Sequence, residues 1–263
     1  MKIKVIKVGG AFLDDPAISQ PFFQTMSGLL QSCKVVLVHG GGSSVERLMS
    51  DLGLVSEKID GLRVTPAAHI DYVVGALAGS VNKKLCSLAA AAGLNPVGIS
   101  LADGKLAQCS KVDPRLGFVG KVISGDSKLV HNLLQGDFMP IISSIGLDED
   151  YALLNVNADQ AAVAVAKTLN AELCLLSDVS GVLDQDKRLI ADLNAAQINQ
   201  HIQQGIITDG MAVKVHAALD AANTIGKPVT IASWKNVHLL NAEINDTNES
   251  FGTTILPNTV EGS

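Results

Sequence analysis

Short runs of continuous apolar residues alternate along the chain with longer stretches in which apolar positions recur at helical spacing. Residues 34–39, Lys-Val-Val-Leu-Val-His, form the clearest apolar run, and such continuity is typical of a strand covered on both faces. Similar runs predict strands at residues 2–8, 95–101, 138–145, 173–176, 228–232 and 252–256. Helical spacing predicts helices at residues 17–31, 45–53, 67–92, 128–134, 155–170, 195–204 and 212–226.

The alternation of strands and helices predicts an α/β fold in which a mainly parallel sheet carries helices on both faces. Residues 104–124 depart from this pattern with short alternating runs, which indicate antiparallel hairpins projecting from the sheet. Residues 62–66 are predicted to form a loop. We divide the chain into lobes at 1–170 and 171–263. Because no Pro/Ser-rich linker separates them, we expect the lobes to share one sheet or to pack closely.

Composition and charge argue against several classes of partner. Aromatic residues make up 3% of the chain and the formal net charge is −6, whereas nucleic-acid surfaces need a basic face and often stacking rings. No nucleic-acid partner is therefore expected. No window of eighteen apolar residues and no signal-peptide pattern is present, so we expect a cytoplasmic protein without membrane association. The cysteines include no Cys-x-x-Cys pair and are expected to be reduced, mostly buried thiols.

Polar and glycine-rich residues follow the predicted strands at their carboxyl ends, where open parallel sheets bind ligands. Lys7 ends the first strand, and a triple glycine at 40–42 follows the second. Asn155 and Asp159 lie at a predicted helix start, and Lys214 lies in the first turn of the last long helix. Glycine amides at a helix N-terminus suit an oxyanion. The sequence lacks the familiar nucleotide-binding motifs, namely the dinucleotide fingerprint, the Walker A pattern and the kinase catalytic loop. If the protein binds ATP, it must therefore use a different kind of phosphate-binding site.

Each of these residues also has a purely structural interpretation. A buried Lys7 requires an anionic partner, yet a lysine at a sheet edge can extend its ammonium to solvent. Lys214 opposes the helix dipole but can simply be solvated, and Asp159 can simply favour the dipole. His39, at a strand end, is interpreted as a hydrogen-bonded structural residue rather than a general base. The histidines show no metal-ligand spacing, so no metal site is expected.

Taken together, several segments resemble the N-acetylglutamate kinases, a branch of the amino-acid kinase family. Lys-x-Gly-Gly and a glycine-rich second turn recur across that family, whereas Gly-Leu-Arg-Val-Thr and Asn-Val-Asn-Ala-Asp are much more specific to the N-acetylglutamate enzymes. The match extends from Lys7 to about Trp234, nearly the whole chain. The matching segments are residues 6–10, 38–42, 61–65, 155–159, 177–181 and 208–214.

The resemblance implies a three-layer αβα sandwich whose N-terminal lobe binds N-acetyl-L-glutamate and forms a homodimer, and whose C-terminal lobe binds ATP. It also implies that Lys7 and Lys214 hold the transferring phosphoryl group, that Asp159 organises both lysines, and that the amides of Gly10 and Gly42 donate to that group. The substrate contacts it implies are Gly41, Gly42, Arg63 and Asn155. The nucleotide contacts it implies are Asp178, Val179, Ser180, Gly181, Val182 and Leu183, with Ile206, Ile207, Thr208, Asp209, Gly210 and Met211.

The activity that the resemblance implies is ATP-dependent phosphorylation of the side-chain carboxylate, giving N-acetyl-L-glutamyl 5-phosphate for arginine biosynthesis, with Mg²⁺ held mainly by the nucleotide phosphates. A carboxylate of pKa ≈ 4.3 is already ionised at neutral pH, so no general base is required. Two alternatives remain. One is a kinase of the same family acting on aspartate, carbamate or an N-blocked aminoadipate. The other is a non-catalytic nucleotide- or oxyanion-binding protein, against which the presence of Lys7, Asp159 and Lys214 argues.

Overall fold

The computed structural model describes residues 2–9, 11–236 and 250–258. Its strands are β1 (Ile3–Val8), β2 (Lys34–His39), β3 (Lys58–Ile59), β4 (Leu62–Arg63), β5 (Pro96–Ser100), β6 (Ala107–Lys111), β7 (Val119–Ser124), β8 (Met139–Ser143), β9 (Ile145–Leu147), β10 (Leu153–Val156), β11 (Glu172–Ser177), β12 (Asp192–Leu193), β13 (Val229–Ser233) and β14 (Gly252–Ile255). Its α-helices are α1 (Ala11–Asp14), α2 (Pro16–Leu29), α3 (Gly42–Asp51), α4 (Ile70–Val74), α5 (Asn82–Ala91), α6 (Lys128–Gln135), α7 (Ala158–Thr168), α8 (Ala195–Gln203) and α9 (Asp209–Ile225).

The main sheet takes strands from both halves of the chain, in the order β12-β14-β13-β11-β1-β2-β8-β5. Neighbouring strands run parallel apart from β13 and β14, which are antiparallel. The predicted mainly parallel α/β sheet is therefore confirmed. Because the strands on either side of β1 and β2 run in the same direction, their carboxyl ends meet at one edge.

Helices cover both faces of this sheet. Val36 and Val38 of β2 belong to a hydrophobic cluster that contains side chains of α7 and α9. Val35 and Leu37, which alternate with them, belong to a second cluster with side chains of α2 and α5. All four are at most 1% exposed, which explains why β2 is apolar without interruption. The three-layer αβα arrangement is confirmed.

A smaller four-stranded sheet packs beside the main one, in the order β6-β7-β10-β9. Its strands β6 and β7 form the antiparallel hairpin that the pattern of residues 104–124 predicts. The prediction of one strand over 138–145 was wrong, because the chain turns at Ser144 between β8 and β9. A helix start at Asn155 was also wrong. Residues 155 and 156 belong to β10, whose pairing with β7 and β9 outweighs local helical spacing.

The predicted helix at residues 67–92 is interrupted by a π-helical segment, Gly75–Val81, that joins α4 to α5. Two glycines within this segment weaken the regular α-helical pattern, and wider turns of this kind are frequent at functional sites. The segment packs against the glycine turn after β2. A β-carbon added to Gly41 would lie 2.8 Å from the Leu77 Cδ2 atom and 3.2 Å from Val81 Cγ2.

Residues 62–66 are not a simple loop, because β3 and β4 form a short antiparallel hairpin. Asp60 and Gly61 connect its strands with φ values of 50° and 78°. An Asp-Gly pair tolerates this left-handed backbone and is a strong hairpin signal, so this hairpin could have been predicted from the sequence. All four cysteines are free thiols, three of them buried. None of the described helices has the length and apolar character needed to cross a membrane.

Candidate active site

A cavity of about 280 Å³ opens at the carboxyl ends of β1 and β2. Its wall is formed by the ends of these strands, the glycine turn, the β3–β4 hairpin, β10 and the start of α7. The structure therefore brings together residues from segments far apart in sequence. The predicted site residues that line this cavity are Lys7, Gly41, Gly42, Arg63, Asn155 and Asp159.

Lys7 and Asp159 form an ion pair, with the lysine Nζ 2.9 Å from Asp159 Oδ1. The Lys7 side chain is 17% exposed and that of Asp159 is 58% exposed, so the pair lies at the cavity surface. Asn157 caps α7 by accepting hydrogen bonds from the amides of Asp159 and Gln160. This cap fixes the first turn of the helix and places the Asp159 carboxylate beside the ammonium group.

The glycine turn supplies backbone amides at the start of α3. Gly41 has a φ of 155°, and its carbonyl accepts the first helical hydrogen bond from Val45 at 2.9 Å. The amides of the first helical turn consequently have no acceptor within the helix. An added β-carbon on Gly42 would meet no atom within 4 Å. Packing within the chain therefore does not require glycine at this position. A ligand that approaches the Gly42 amide closely would require it, because a side chain would block that approach.

Arg63, on β4, extends its side chain to the first turn of α3. Its Nη2 donates to the Gly42 carbonyl at 3.0 Å, its Nη1 donates to the Ser56 hydroxyl, and the same Nη1 lies 2.8 Å from Glu46 Oε2. Only 9% of the Arg63 side chain is exposed. Neither Glu46 nor Ser56 was predicted from the sequence, because these contacts depend on how the hairpin packs against α3.

Asn155 is held by a short chain of hydrogen bonds. Its Nδ2 donates to the Thr65 hydroxyl at 3.2 Å, and that hydroxyl donates to the Arg63 carbonyl at 3.1 Å. Thr65 is fully buried, and its own backbone pairs with residues 116 and 118. The two predicted substrate residues are thus connected through Thr65, the threonine of the Gly-Leu-Arg-Val-Thr segment.

Lys214 lies next to a different carboxylate from Lys7. Its Nζ is 3.4 Å from Asp178 Oδ1, at the end of β11, and the Lys214 side chain is 41% exposed. A backbone hydrogen bond lowers the pKa of Asp178, and the positive charge of Lys214 lowers this pKa further. Lys7 pairs in register with Leu175, so Asp178 follows β11 at the same sheet edge. Among the described ion pairs, Asp159 contacts Lys7 and Asp178 contacts Lys214.

The predicted nucleotide segments differ in how much of them is accessible. Val182 and Ile207 are each 1% exposed and belong to the hydrophobic core, so neither residue reaches the protein surface. The Val182 amide donates to the Thr253 hydroxyl at 2.8 Å, which anchors the first segment to β14. The half-buried members of the two segments are Val179, Ile206 and Met211, and the exposed ones are Asp178, Ser180, Leu183, Thr208, Asp209 and Gly210, while Gly181 is buried.

His39 is fully buried and both of its ring nitrogens have partners. Nδ1 lies 2.7 Å from the Gly40 carbonyl and Nε2 lies 3.0 Å from Asn82 Nδ2. A neutral ring that donates from Nδ1 and accepts at Nε2 satisfies both contacts. Burial lowers the pKa of His39 to about 4. These contacts agree with the structural interpretation of His39.

Gly10, predicted to donate its amide, lies outside the described residues. Within residues 2–9, 11–236 and 250–258, no group of three or more His, Cys, Asp or Glu side chains converges to hold a metal ion.

Known proteins resemble this chain in sequence and in fold. The sequence profile of the Amino acid kinase family matches residues 2–233. Acetylglutamate kinase of Actinobacillus succinogenes is 50% identical over 259 residues, 98% of this chain and 100% of that protein. N-acetylglutamate synthase from Neisseria gonorrhoeae, complexed with coenzyme A and N-acetyl-glutamate, has a TM-score of 0.80 at 20% identity and covers 98% of this chain and 60% of its own. Carbamate kinase from Giardia lamblia bound to AMP-PNP has a TM-score of 0.68 at 18% identity, and the match covers 98% of this chain and 99% of that protein. These two structures share the fold.

Proposed function

The chain belongs to the amino acid kinase family, and we propose that it transfers the γ-phosphoryl group of ATP to the side-chain carboxylate of N-acetyl-L-glutamate. The product is N-acetyl-L-glutamyl 5-phosphate, an intermediate of arginine biosynthesis. The observation that carries the proposal is the convergence of Lys7, Arg63 and the glycine turn around one cavity.

The charges around this cavity suit a dianionic substrate. Arg63 is a planar donor able to bind a carboxylate, and Asn155 offers a neutral amide next to it. An acetylated amine carries no charge, so the pocket needs no acidic partner for an ammonium group. The Glu46 carboxylate is already engaged with Arg63, and that of Asp159 with Lys7. This arrangement favours an N-blocked acid over a free amino acid.

The reaction requires one anion to approach another. Catalysis of phosphoryl transfer therefore depends on positioning and on neutralising charge rather than on proton removal. The Lys7 ammonium and the Gly42 amide would stabilise the oxygens of the transferring group. Asp159 would keep Lys7 in place. Because the acceptor carboxylate is ionised at neutral pH, the buried His39 has no proton to accept.

Lys214 would act from the nucleotide side of the same sheet edge. Its ion pair with Asp178 holds the Lys214 ammonium at the start of the first predicted nucleotide segment, residues 178–183. The second predicted nucleotide segment, residues 206–211, comes shortly before Lys214 in the sequence. We propose that both segments bind ATP, so the nucleotide belongs to the lobe of residues 171–263 and the amino acid to that of residues 1–170. Mg²⁺, held mainly by the nucleotide phosphates, would neutralise part of their charge. We further propose a cytoplasmic homodimer.

A coupled ADP-release assay tests the proposed reaction. The panel consists of N-acetyl-L-glutamate, L-glutamate, L-aspartate, carbamate and an N-acetylated aminoadipate. We expect the highest kcat/KM with N-acetyl-L-glutamate, together with a hydroxamate on addition of hydroxylamine, which traps an acyl phosphate. A higher kcat/KM for a free amino acid would contradict the substrate assignment. Nucleotide binding without turnover on any acid would contradict the enzymatic role.

A further inference from the structure

Arg63 is restrained by groups that take no part in the proposed reaction. Glu46 Oε2 lies 2.8 Å from Nη1, the Ser56 hydroxyl accepts from the same nitrogen, and the Gly42 carbonyl accepts from Nη2 at 3.0 Å. All three contacts use the terminal nitrogens of the guanidinium. Within the described part of the chain, Nε–H has no such partner and remains available to a ligand.

The spacing of two of these groups explains how the restraint arises. Gly42 and Glu46 are four residues apart on α3, so the Gly42 carbonyl and the Glu46 side chain lie along one face of the helix. Arg63 spans that helical turn from the neighbouring hairpin. Its guanidinium consequently connects β4 to the part of α3 whose amides line the cavity.

Glu46 itself is outside the wall of the substrate cavity. The residues lining that cavity include Arg63 but not Glu46, whose side chain is 51% exposed. Solvent therefore screens much of its repulsion toward an anionic substrate. Its attraction to the nearly buried guanidinium acts at close range and fixes one orientation out of the many that a free arginine side chain adopts.

We propose that Glu46 is a positioning residue for the amino-acid substrate, acting through Arg63. Resting on the proposed function, this role gives Glu46 an influence on substrate binding from outside the wall of the cavity. It orients the guanidinium before binding, so that the substrate carboxylate meets a donor already in place. The alternative is that Glu46 competes with the substrate for Arg63, in which case removing its charge would strengthen binding.

Steady-state kinetics of Glu46→Gln distinguish these possibilities. We expect KM for N-acetyl-L-glutamate to rise about three- to tenfold, with kcat and the KM for ATP within about twofold, because the lost interaction concerns binding of one substrate. Glu46→Asp, which keeps the charge on a shorter side chain, should recover part of the loss. Asp51→Asn removes another carboxylate of α3 and serves as the matched control, with all constants unchanged.

A double-mutant cycle shows whether Glu46 acts through Arg63. In an Arg63→Ala background, Glu46→Gln should cause no further rise in KM, and thermal unfolding should establish that each variant is folded. An unchanged or lower KM in Glu46→Gln alone would overturn the inference, as would an additive effect in the double variant. If Arg63→Ala itself leaves KM for N-acetyl-L-glutamate unchanged, the proposed substrate site fails and the role of Glu46 fails with it. A raised KM in Arg63→Ala beside an unchanged KM in Glu46→Gln removes the role of Glu46 alone.

Discussion

A β-carbon added to Gly40 would lie 3.0 Å from the Cβ atom of Ala158. The first turn of α7 therefore rests directly on the glycine turn after β2, and Asp159 follows Ala158 in that turn. Because the Gly40 backbone lies so close to the Ala158 side chain, we expect a larger residue at position 40 to displace Asp159 from Lys7. Glycine at position 40 thus has a role in the site even though its own amide is assigned to no ligand.

Gly40→Ala tests this role. The added methyl group is closer than ordinary van der Waals contact, so α7 must shift by a few tenths of an ångström and carry Asp159 with it. We expect kcat to fall about tenfold with a smaller change in KM, since misplacement at the reacting centre affects the transition state most. Gly79→Ala, where an added β-carbon meets no atom within 4 Å, is the control and should retain kcat. Full activity of Gly40→Ala would show that the contact tolerates the methyl group without moving Asp159.

Lys7→Arg separates charge from geometry at the phosphoryl group. The charge is kept, but the planar guanidinium is larger than the ammonium it replaces. Because the Lys7 side chain is only 17% exposed, the larger group has little room. We expect kcat to fall by about a hundredfold or more, comparable to the loss of one stabilising donor of a transition-state oxyanion. Single-turnover measurements at saturating substrates would isolate the chemical step. Near-normal turnover would remove Lys7 from the proposed mechanism.

Thr65→Val removes the hydroxyl that joins Asn155 to Arg63 while preserving side-chain shape. The Asn155 amide and the Arg63 carbonyl would both lose a partner, at a cost of about 1 kcal/mol each in folding stability. We expect KM for N-acetyl-L-glutamate to rise about fivefold, because both substrate-binding groups become less restrained. Thr65→Ser keeps the hydroxyl and should stay near the wild-type KM despite a small cavity. Equal KM values for the two variants would be incompatible with positioning through the hydroxyl.

Much of this architecture was predictable from local patterns. The apolar run at residues 34–39 predicted β2 with its observed bounds, Lys34–His39. The position of Lys7 at the end of a strand predicted that it would need an anionic partner, which is the role Asp159 fills. Such inferences succeed because the burial of a parallel strand and the cost of a buried charge depend on few neighbours.

Other features depended on contacts that no local pattern contains. Glu46 meets Arg63 only because the β3–β4 hairpin packs against α3, and β10 forms only because β7 and β9 offer partners on either side. The pairing of Lys214 with Asp178 was likewise not evident, since the family resemblance implied only that Asp159 organises both lysines. Charge complementarity alone does not select between two nearby carboxylates.

His39→Asn tests the absence of a general base. The ring is fully buried and bonded to the Gly40 carbonyl and to Asn82, so it serves the junction between β2 and α5 rather than the substrate. We expect the rate at neutral pH to remain within about tenfold of wild type, whereas loss of a general base typically costs 10²–10⁴. Initial rates at saturating ATP and acid provide the measurement. A greater loss in a variant of unchanged secondary structure would reinstate His39 as a catalytic candidate.

The same histidine should make folding stability depend on pH. Its pKa is lowered from 6.5 to about 4 in the folded chain. The unfolded chain therefore binds a proton at a pH where the folded chain does not, and stability falls as the pH drops from about 6.5 toward about 4. Between pH 7 and pH 5 this contribution amounts to roughly 2 kcal/mol. Urea unfolding of wild type and His39→Asn at these two pH values gives the comparison. The loss of unfolding free energy between pH 7 and pH 5 should be smaller in the variant by about that amount, because asparagine does not titrate. An equal loss in wild type and variant would mean that His39 is accessible to protons in the folded chain.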